Sequence, residues 1–443
     1  MEPGQKEKRA RVLSGMRPTG RMHIGNYFGA LANWVRLQNV IGENGPSYDC
    51  FYFIADWHSL TSDYADTSGI AQNVIEMGTD YLAGGLDPAK SVLFLQSLVP
   101  EHAELHLLLS MVTPLGWLER VPTYKEALDN VKDKDLHNYG FLGYPVLQCA
   151  DIVMYGEEGT KLIVPVGEDQ VSHVEASREI VRRFNLFNGL SVDERLRQKD
   201  PFERTLVARI AGVLRDQALN LGPEHFPLSE DTWREWCSRL KSRILEVGYD
   251  NAVHLLNAAQ LPKNLFMIKA VLAEPESMLT KTPRIPGTDG RKMSKSYGNA
   301  VTLSESDADI RAKTKVMMTD PARKRRTDPG DPDKCPAYDW HKLFSPPETL
   351  QWAAEGCRTA GIGCIECKAK MADHLIEWIT PIRERRVQYE NNPGLVLEIL
   401  DEGSKKARVV AQGTMERVRE AGFGWQKKRK EVASDEWRVA RKE

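Results

Sequence analysis

The stretch RVLSGMRPTGRMHIGN, residues 11–26, passes from an apolar run through a glycine-containing segment into a helix. The apolar run predicts a buried strand, and apolar residues at helical spacing predict a helix over residues 24–39. Small residues between the two let a ligand approach the backbone closely. The free N–H groups at a helix start suit a phosphate, and His23 and Asn26 share this first turn. A glycine and proline turn capped by histidine is the structural alternative.

The same alternation continues along the chain. Apolar runs predict strands at 50–55, 91–96 and 162–166, and a helical pattern covers 68–83. Strands that alternate with helices of this length pair in parallel through right-handed crossovers. The sequence therefore predicts an α/β fold with a doubly wound parallel sheet, whose ligands bind beyond the carboxyl ends of the strands.

Size and composition exclude several classes of protein. A chain of 443 residues with 41% hydrophobic and 28% charged residues is an ordinary globular protein of two to four domains. The formal net charge of −2 indicates no partner. Because no apolar run approaches the ~18 residues of a membrane span, we expect a cytoplasmic protein with no membrane partner.

A second chemical motif lies far along the chain. Residues 292–296 read Lys-Met-Ser-Lys-Ser and follow the glycine-flanked segment 287–291. Two lysines three apart, with hydroxyls between them, can close over a polyphosphate and neutralise charge that develops on it. An exposed polar loop is the alternative. Together with the first motif, this loop predicts a triphosphate site.

Four of the seven cysteines crowd into residues 335–367. Cys335, Cys357, Cys364 and Cys367 have the spacing C-x21-C-x6-C-x2-C. Four thiolates suit tetrahedral zinc or a 4Fe-4S cluster, and spacing alone does not choose between them.

These motifs resemble the class I aminoacyl-tRNA synthetases, and the bacterial-type tryptophanyl-tRNA synthetases in particular. The resemblance covers roughly residues 12–185 and 278–420, including Ala-Asp-Trp-His at 55–58 and Val-Pro-Val-Gly-Glu-Asp-Gln at 164–170. It implies a Rossmann-like nucleotide-binding sheet followed by an α-helical C-terminal anticodon-binding domain. The implied partners are tryptophan, tRNA(Trp), ATP and Mg²⁺, and the family is homodimeric.

The resemblance also implies roles for individual residues. His23, Asn26, Lys292 and Lys295 would be the catalytic residues. The ATP site would comprise Gly15, Arg17, Thr19, Gly25, Asn26, Gly167, Asp169, Lys292, Ser294, Lys295 and Ser296. Tryptophan would contact Tyr144, Gln148, Asp151, Gln170 and His58.

The amino acid pocket departs from the commoner family pattern. Arg17, Thr123 and Gln148 replace residues that are frequent in the family, and tyrosine-specific relatives also use Gln and Asp on the corresponding helix. The His-Ile-Gly-Asn-Tyr form at 23–27 and the Gly-Glu-Asp-Gln turn at 167–170 favour tryptophan. Asp151 would accept the indole N–H, which only donates, and phenylalanine or an aliphatic side chain would leave it unpaired. The alternatives are a tyrosyl-tRNA synthetase, a synthetase-like regulatory protein without charging activity, and a small-molecule nucleotidylyltransferase.

The expected organisation has four parts. Residues 1–189 form the nucleotide-binding domain, 190–275 a helical insertion, 276–304 the end of the catalytic domain and 305–443 the helical anticodon-binding domain. The cysteines resemble those of a subset that carries a 4Fe-4S cluster, which implies iron and sulfur over zinc. Basic segments at 311–328, with seven basic and two acidic residues, and 403–443, with twelve and six, predict phosphate-backbone contacts, with Arg323 to Arg326 facing the tRNA.

Overall fold

The computed structural model describes residues 9–42, 45–122, 124–125, 136–197, 201–262, 266–280, 285–426, 429 and 432. Thr123 and most of the segment after 426 lie outside these ranges. The strands are β1 Ala10–Met16, β2 Ile41–Gly42, β3 Gly45–Pro46, β4 Tyr48–Ile54, β5 Ser91–Leu95, β6 Leu162–Val166, β7 Leu190–Val192, β8 Phe266–Ile268 and β9 Pro275–Leu279.

The helices before the Lys-Met-Ser-Lys-Ser loop are α1 Ile24–Asn26, α2 Ala32–Gln38, α3 Asp56–Asp63, α4 Ile70–Ala83, α5 Glu101–Ser110, α6 Leu115–Leu118, α7 Tyr139–Val153, α8 Val171–Gly189, α9 Pro201–Val213, α10 Glu230–Val247 and α11 Tyr249–Ala258. A π-helical turn, Tyr27–Leu31, joins α1 to α2. The later helices are α12 Asp307–Lys315, α13 Pro336–Phe344, α14 Pro347–Arg358, α15 Cys364–Glu390 and α16 Pro393–Phe423.

Five parallel strands form the central sheet in the order β5-β4-β1-β6-β9. The chain moves outward from β1 through β4 to β5, and then returns to the other side of β1 with β6. The order therefore reverses between β1 and β6, where a doubly wound sheet opens a crevice for ligands. The predicted α/β fold with a helical C-terminal region is confirmed.

Alternating side chains of the central strands build two cores. Val12, Tyr52 and Ile54 face one core, and Leu13 and Phe53 face the other. Both faces of a parallel sheet are covered by helices, which explains why these strands are continuously apolar. Residues of the C-terminal helices α13, α15 and α16 belong to the first core and residues of α16 also to the second. Helix α16 packs on strand β5, and α15 packs on α4.

The segment 190–275 has a separate hydrophobic core, in which Trp233 and Trp236 stack with ring centroids 5.5 Å apart. The expected helices are present, but the segment also contains β7 and β8, which pair antiparallel. Its last residue, Pro275, begins β9, an outer strand of the central sheet. These strands were not predicted, because Glu276 and Ser277 interrupt the apolar pattern and β9 forms only by pairing with β6.

The helix α16 runs against β5. A Cβ atom on Gly403 would lie 1.7 Å from the carbonyl oxygen of Leu93, so the helix backbone approaches the strand more closely than any other residue allows. The Leu95 N–H donates to Ser404 Oγ at 3.1 Å. Within the described residues, no helix has the length and apolar character needed to cross a bilayer.

Candidate active site

The first motif forms the turn between β1 and α1. His23 is the N-cap of α1: its Nδ1 accepts the Asn26 N–H at 3.1 Å, and Asn26 Oδ1 accepts the His23 N–H at 3.1 Å. Burial, and then the charge of Lys295, lower the pKa of His23 to about 4. The imidazole is therefore neutral at physiological pH, as its acceptor role requires. The capping turn that the sequence left as the structural alternative is present, and the ligand-binding role of this loop stays a prediction.

The second motif lies directly against the first. Lys295 Nζ donates to the carbonyl oxygens of Thr19 and Arg21, the latter at 2.8 Å. Burial lowers the pKa of Lys295, and the Asp80 carboxylate acts in the opposite direction. Two loops more than 270 residues apart thus form one cationic corner above the crevice, which is the arrangement that a triphosphate site needs.

Asn299 organises the Lys-Met-Ser-Lys-Ser loop. Its Oδ1 accepts the Ser294 N–H at 2.8 Å, and its Nδ2 donates to the Lys292 carbonyl at 3.1 Å and to Asp289 at 2.7 Å. The Ser294 and Ser296 hydroxyls lie 2.8 Å apart, and Lys292 is exposed. Asn299 was not predicted, although its position directly after Gly298 is a usable signal, and Asp289 was noted only as part of the glycine-flanked segment 287–291.

Three positions of the first motif require glycine, each for a different structural reason. At Gly15 a Cβ atom would lie 2.5 Å from the Phe53 ring, so core packing alone requires glycine there. Gly20 has φ +87°, in the left-handed region, and a Cβ atom there would approach Lys295 Nζ to 3.6 Å. At Gly25 a Cβ atom would lie 2.9 Å from His23 Nδ1. Gly20, which sequence analysis did not single out, lies at the contact between the two loops.

The remaining ATP-site candidates that the structure describes include residues of the loops after β1 and β6. Gly167 follows β6 and precedes a short 3-10 turn, Glu168–Gln170, so the loops after β1 and β6 meet where the strand order reverses. Arg17 is exposed and donates to Ser62 Oγ at 3.4 Å. The side chain of Asp169 lies outside what the structure describes.

A buried carboxylate, Asp151, lies at the centre of a polar network. Its Oδ1 lies 2.6 Å from His102 Nδ1, and its Oδ2 lies 2.8 Å from His58 Nε2. Gln96 Nε2 donates to both oxygens, at 2.8 and 2.9 Å. His102 Nε2 lies 2.8 Å from the Tyr155 hydroxyl. Burial would raise the pKa of Asp151, but the hydrogen bonds from His102 and His58 hold it at about 2. The carboxylate is therefore ionised and fixed in orientation.

Sequence analysis predicted that His58 and Asp151 lie together, and the structure places them in contact. It missed Gln96 and His102, which lie at a strand end and near a helix start with no local motif. Tyr144, Gln148 and Asp151 follow one face of α7 at helical spacing. Tyr144 lines a cavity of about 180 Å³ with Trp57 and His106.

The four clustered cysteines lie at the N-cap of α13, in the last turn of α14 and in the first turn of α15. Burial raises the pKa of Cys367 to about 12, and the charges of Cys335, Cys357 and Cys364 act in the same direction. These effects mean that the four thiols share one neighbourhood. The described residues nevertheless include no group of three or more His, Cys, Asp or Glu side chains placed to hold a metal ion.

Arg323 lies beside the cysteines and is buried. Its Nη1 donates to Cys357 Sγ at 3.8 Å, and its Nη2 donates to the carbonyls of Ile362 and Arg326. The prediction that Arg323 faces a tRNA is therefore wrong, because its guanidinium is used inside the fold. Arg325 and Arg326 are exposed.

Comparison with known proteins agrees with this geometry. A family model described as tRNA synthetases class I (W and Y) matches residues 5–212 and 237–379. The tryptophan--tRNA ligase of Ralstonia nicotianae is 46% identical, over 93% of this chain and 98% of that protein. The corresponding protein of Thermotoga maritima is 41% identical, over 93% and 98%.

A solved structure supports the same relationship. The tryptophanyl-tRNA synthetase of Campylobacter jejuni, complexed with ADP and tryptophan, superposes with a TM-score of 0.64 at 28% identity, covering 93% of this chain and 98% of that one. This chain belongs to the class I tRNA synthetases of the tryptophan and tyrosine group.

Proposed function

We propose that this protein is a tryptophan--tRNA ligase. It activates tryptophan with ATP to tryptophanyl-adenylate, releases pyrophosphate, and transfers the aminoacyl group to tRNA(Trp). The observation that carries the proposal is the contact of Lys295 with the carbonyls of Thr19 and Arg21, which joins the two nucleotide loops. The full-length relatives at 46% and 41% identity are tryptophan--tRNA ligases.

The chemistry needs no protein nucleophile, because the tryptophan carboxylate attacks the α-phosphate directly. Catalysis then depends on holding the two reactants in line and on cationic donors near the phosphates. In this proposal the loop at His23 and Asn26 receives the nucleotide, and Lys292, Lys295 and the two loop serines contact the phosphates. Mg²⁺ bound with the nucleotide would neutralise part of the phosphate charge beside Lys292 and Lys295.

The proposed ATP site also includes the backbone of the loops after β1 and β6. Gly15 lies near the end of β1, Arg17 and Thr19 lie in the loop that follows, and Gly25 lies in α1. Gly167 and Asp169 come from the loop after β6. The loops lie at the point where parallel strands reverse their order, where nucleotides bind in such sheets.

Selection of tryptophan rests on Asp151 in this proposal. A buried, ionised acceptor favours a substrate whose ring donates a hydrogen bond, and phenylalanine or an aliphatic side chain would leave it unpaired. Because His58, His102 and Gln96 already contact Asp151, the indole N–H would join or replace the His58 contact, the most exposed of the three. Tyr144, Gln148 and Gln170 complete the proposed pocket.

Pyrophosphate exchange measured with tryptophan and with tyrosine, followed by charging of tRNA(Trp), tests the proposal. We expect exchange with tryptophan and charging of tRNA(Trp). Exchange with tyrosine alone would identify a tyrosyl-tRNA synthetase, and exchange without charging would identify a regulatory relative. Absence of exchange with both amino acids would refute the function.

We also propose that Cys335, Cys357, Cys364 and Cys367 hold a 4Fe-4S cluster. The pKa of Cys367 is raised first by burial and then by the charges of Cys335, Cys357 and Cys364, which supports a shared site, and thiolates are the ligands that iron–sulfur clusters use. The described residues include no group already placed to hold a metal ion, so the choice of a cluster over zinc rests on the resemblance of the cysteine spacing to the cluster-bearing subset. When bound, the cluster would tie α13, α14 and α15 together.

Metal and sulfide analysis of anaerobically purified protein tests this site. We expect about four iron atoms and four sulfides per chain, lost together in Cys364→Ser and retained in Cys237→Ser, which changes a cysteine of α10. Zinc without sulfide would show that the four cysteines bind zinc and not a 4Fe-4S cluster. Protein free of both metals would refute the site.

A homodimer is the proposed assembly. Leu107, Met111, Leu115 and Tyr139 are all more than half exposed, and they come from α5, α6 and the start of α7. Exposed apolar residues on neighbouring helices mark interaction surfaces. Sedimentation should give a dimer for the native chain and a monomer for Met111→Asp, and a native monomer would refute the assembly.

A further inference from the structure

Arg386 is a buried arginine near the end of α15. Its side chain is 1% exposed and contacts three carboxylates: Glu76 and Asp80 on α4, and Glu390 one turn later on α15. Removing such charges from water is costly unless each has well-placed partners, and breaking one contact leaves an uncompensated charge. The cluster therefore holds α15 and α4 in one arrangement.

Asp80 connects this cluster to the first nucleotide loop. One oxygen contacts the Arg386 guanidinium, and the other accepts the Met22 N–H at 2.6 Å. Met22 directly precedes His23, and its carbonyl accepts the Leu303 N–H at 2.8 Å. The backbone that leads into the His23 cap is thus held between α4 and the segment after the Lys-Met-Ser-Lys-Ser loop.

Arg21 supplies a second connection. Its Nε donates to Glu76 at 3.1 Å, and its Nη1 donates to Ser304 Oγ at 3.2 Å. Its carbonyl accepts from Lys295 at 2.8 Å. Two guanidinium groups thus face three carboxylates, and the residual negative charge lies near Lys295, whose pKa Asp80 acts to raise. The cluster contacts both loops of the nucleotide corner without lining it.

We propose that Arg386 is a positioning residue for amino acid activation, which holds Asp80 and thereby the Met22–His23 backbone in the geometry that receives ATP. This inference rests on the proposed function, because it takes the loop at His23 as the ATP site. The planar guanidinium bridges several carboxylates at once, which a lysine ammonium at the same position cannot do in the same geometry. The C-terminal helices therefore set the shape of the nucleotide loop through one side chain.

Steady-state pyrophosphate exchange with varied ATP and varied tryptophan tests the proposal. In Arg386→Lys we expect kcat/KM for ATP to fall about 10- to 100-fold, since small displacements of a reacting group cost this much. KM for tryptophan should stay within about twofold, because the cluster contacts none of the proposed tryptophan-site residues. A general loss of folding would change both parameters.

Arg383→Lys is the matched control. Arg383 lies one turn earlier on α15, where it pairs with Asp307 at 2.6 Å and donates to the Glu305 carbonyl at 2.9 Å. It is therefore an ion-paired arginine of the same helix that also reaches the segment after the Lys-Met-Ser-Lys-Ser loop but contacts neither Met22 nor Asp80. We expect its ATP kinetics to match those of the native chain within about twofold. Equal effects in the two variants, or Arg386→Lys with native ATP kinetics and a lowered melting temperature, would overturn the proposal.

Asp80→Asn provides a second test that remains available if Arg386→Lys does not fold. It should give the same selective loss for ATP, and the double variant should be no worse than the more severe single variant, because both act through one contact. Native ATP kinetics in Asp80→Asn would overturn the proposal. If the native chain shows no exchange, the proposed function fails. The inference about Arg386 is then tested by ATP binding alone, and equal equilibrium affinities of the native and Arg386→Lys chains for ATP would overturn it.

Discussion

Acid should destabilise the fold through His23. Its neutral Nδ1 accepts the Asn26 N–H, and burial together with Lys295 lowers its pKa to about 4. An unfolded histidine has a pKa of about 6.5, so the unfolded state binds the proton more tightly. The stabilising contribution is therefore complete above about pH 6.5 and is lost as the pH falls toward about 4.

The expected size follows from these two pKa values. At about pH 5.5 the unfolded histidine is roughly tenfold more protonated than neutral, whereas the folded one stays neutral, which lowers the free energy of unfolding by about 1.4 kcal/mol. At about pH 7.5 the same effect is below about 0.1 kcal/mol, and well below pH 4 it approaches about 3.4 kcal/mol.

Urea unfolding at pH 7.5 and pH 5.5, with His23→Asn as the matched variant, measures this difference. Asparagine keeps a side-chain acceptor at the N-cap but does not titrate. The native chain should lose about 1.4 kcal/mol more than the variant between the two pH values, since other titrating groups cancel in the comparison. Equal losses would show that His23 is not held neutral, and the reasoning about the His23 cap would be refuted.

Three further predictions follow from the described contacts. Lys295→Met should lower kcat for pyrophosphate exchange about 100- to 1,000-fold while equilibrium tryptophan affinity is unchanged, and a parallel fall in affinity would contradict the phosphate role. Gly403→Ala should lower the melting temperature sharply, because the added Cβ atom would meet the Leu93 carbonyl. The control is Gly413→Ala on the same helix, whose added Cβ atom meets nothing within 4 Å and should stabilise the protein by up to about 1 kcal/mol. Similar melting temperatures for the two variants would contradict the close packing of α16 on β5. Asp151→Asn should reduce the preference for tryptophan over phenylalanine in exchange assays, and an unchanged preference would remove Asp151 from the pocket.

The sheet was predictable where burial makes a strand continuously apolar. The runs at 50–55, 91–96 and 162–166 correspond to β4, β5 and β6 within a residue or two. Outer strand β9 was not predictable, because its pattern is polar and its partner β6 is more than 100 residues earlier. Local propensity does not report a pairing that only the assembled sheet creates.

The candidate site divides in the same way. Motif residues such as His23 and Lys295 were predictable because short loops place several functional groups together. Asp80, His102 and Asn299 were not, because each contacts a motif from a distant or unremarkable position in the chain. For Arg323 the prediction failed in the opposite direction. A cluster of charged residues in the sequence indicates exposure, but the Arg323 guanidinium is buried and donates to the carbonyls of Arg326 and Ile362.

The helix α16 has a role beyond packing. Strand β5 is an outer strand of the sheet, and outer strands offer backbone groups that can pair with other chains and start aggregation. The Leu95 N–H, which would otherwise be available for such pairing, donates to Ser404, and Gly403 lets the helix backbone lie against the strand. A chain truncated before residue 393 would therefore expose β5 as an unprotected edge strand. We expect such a chain to aggregate in solution before it loses nucleotide chemistry.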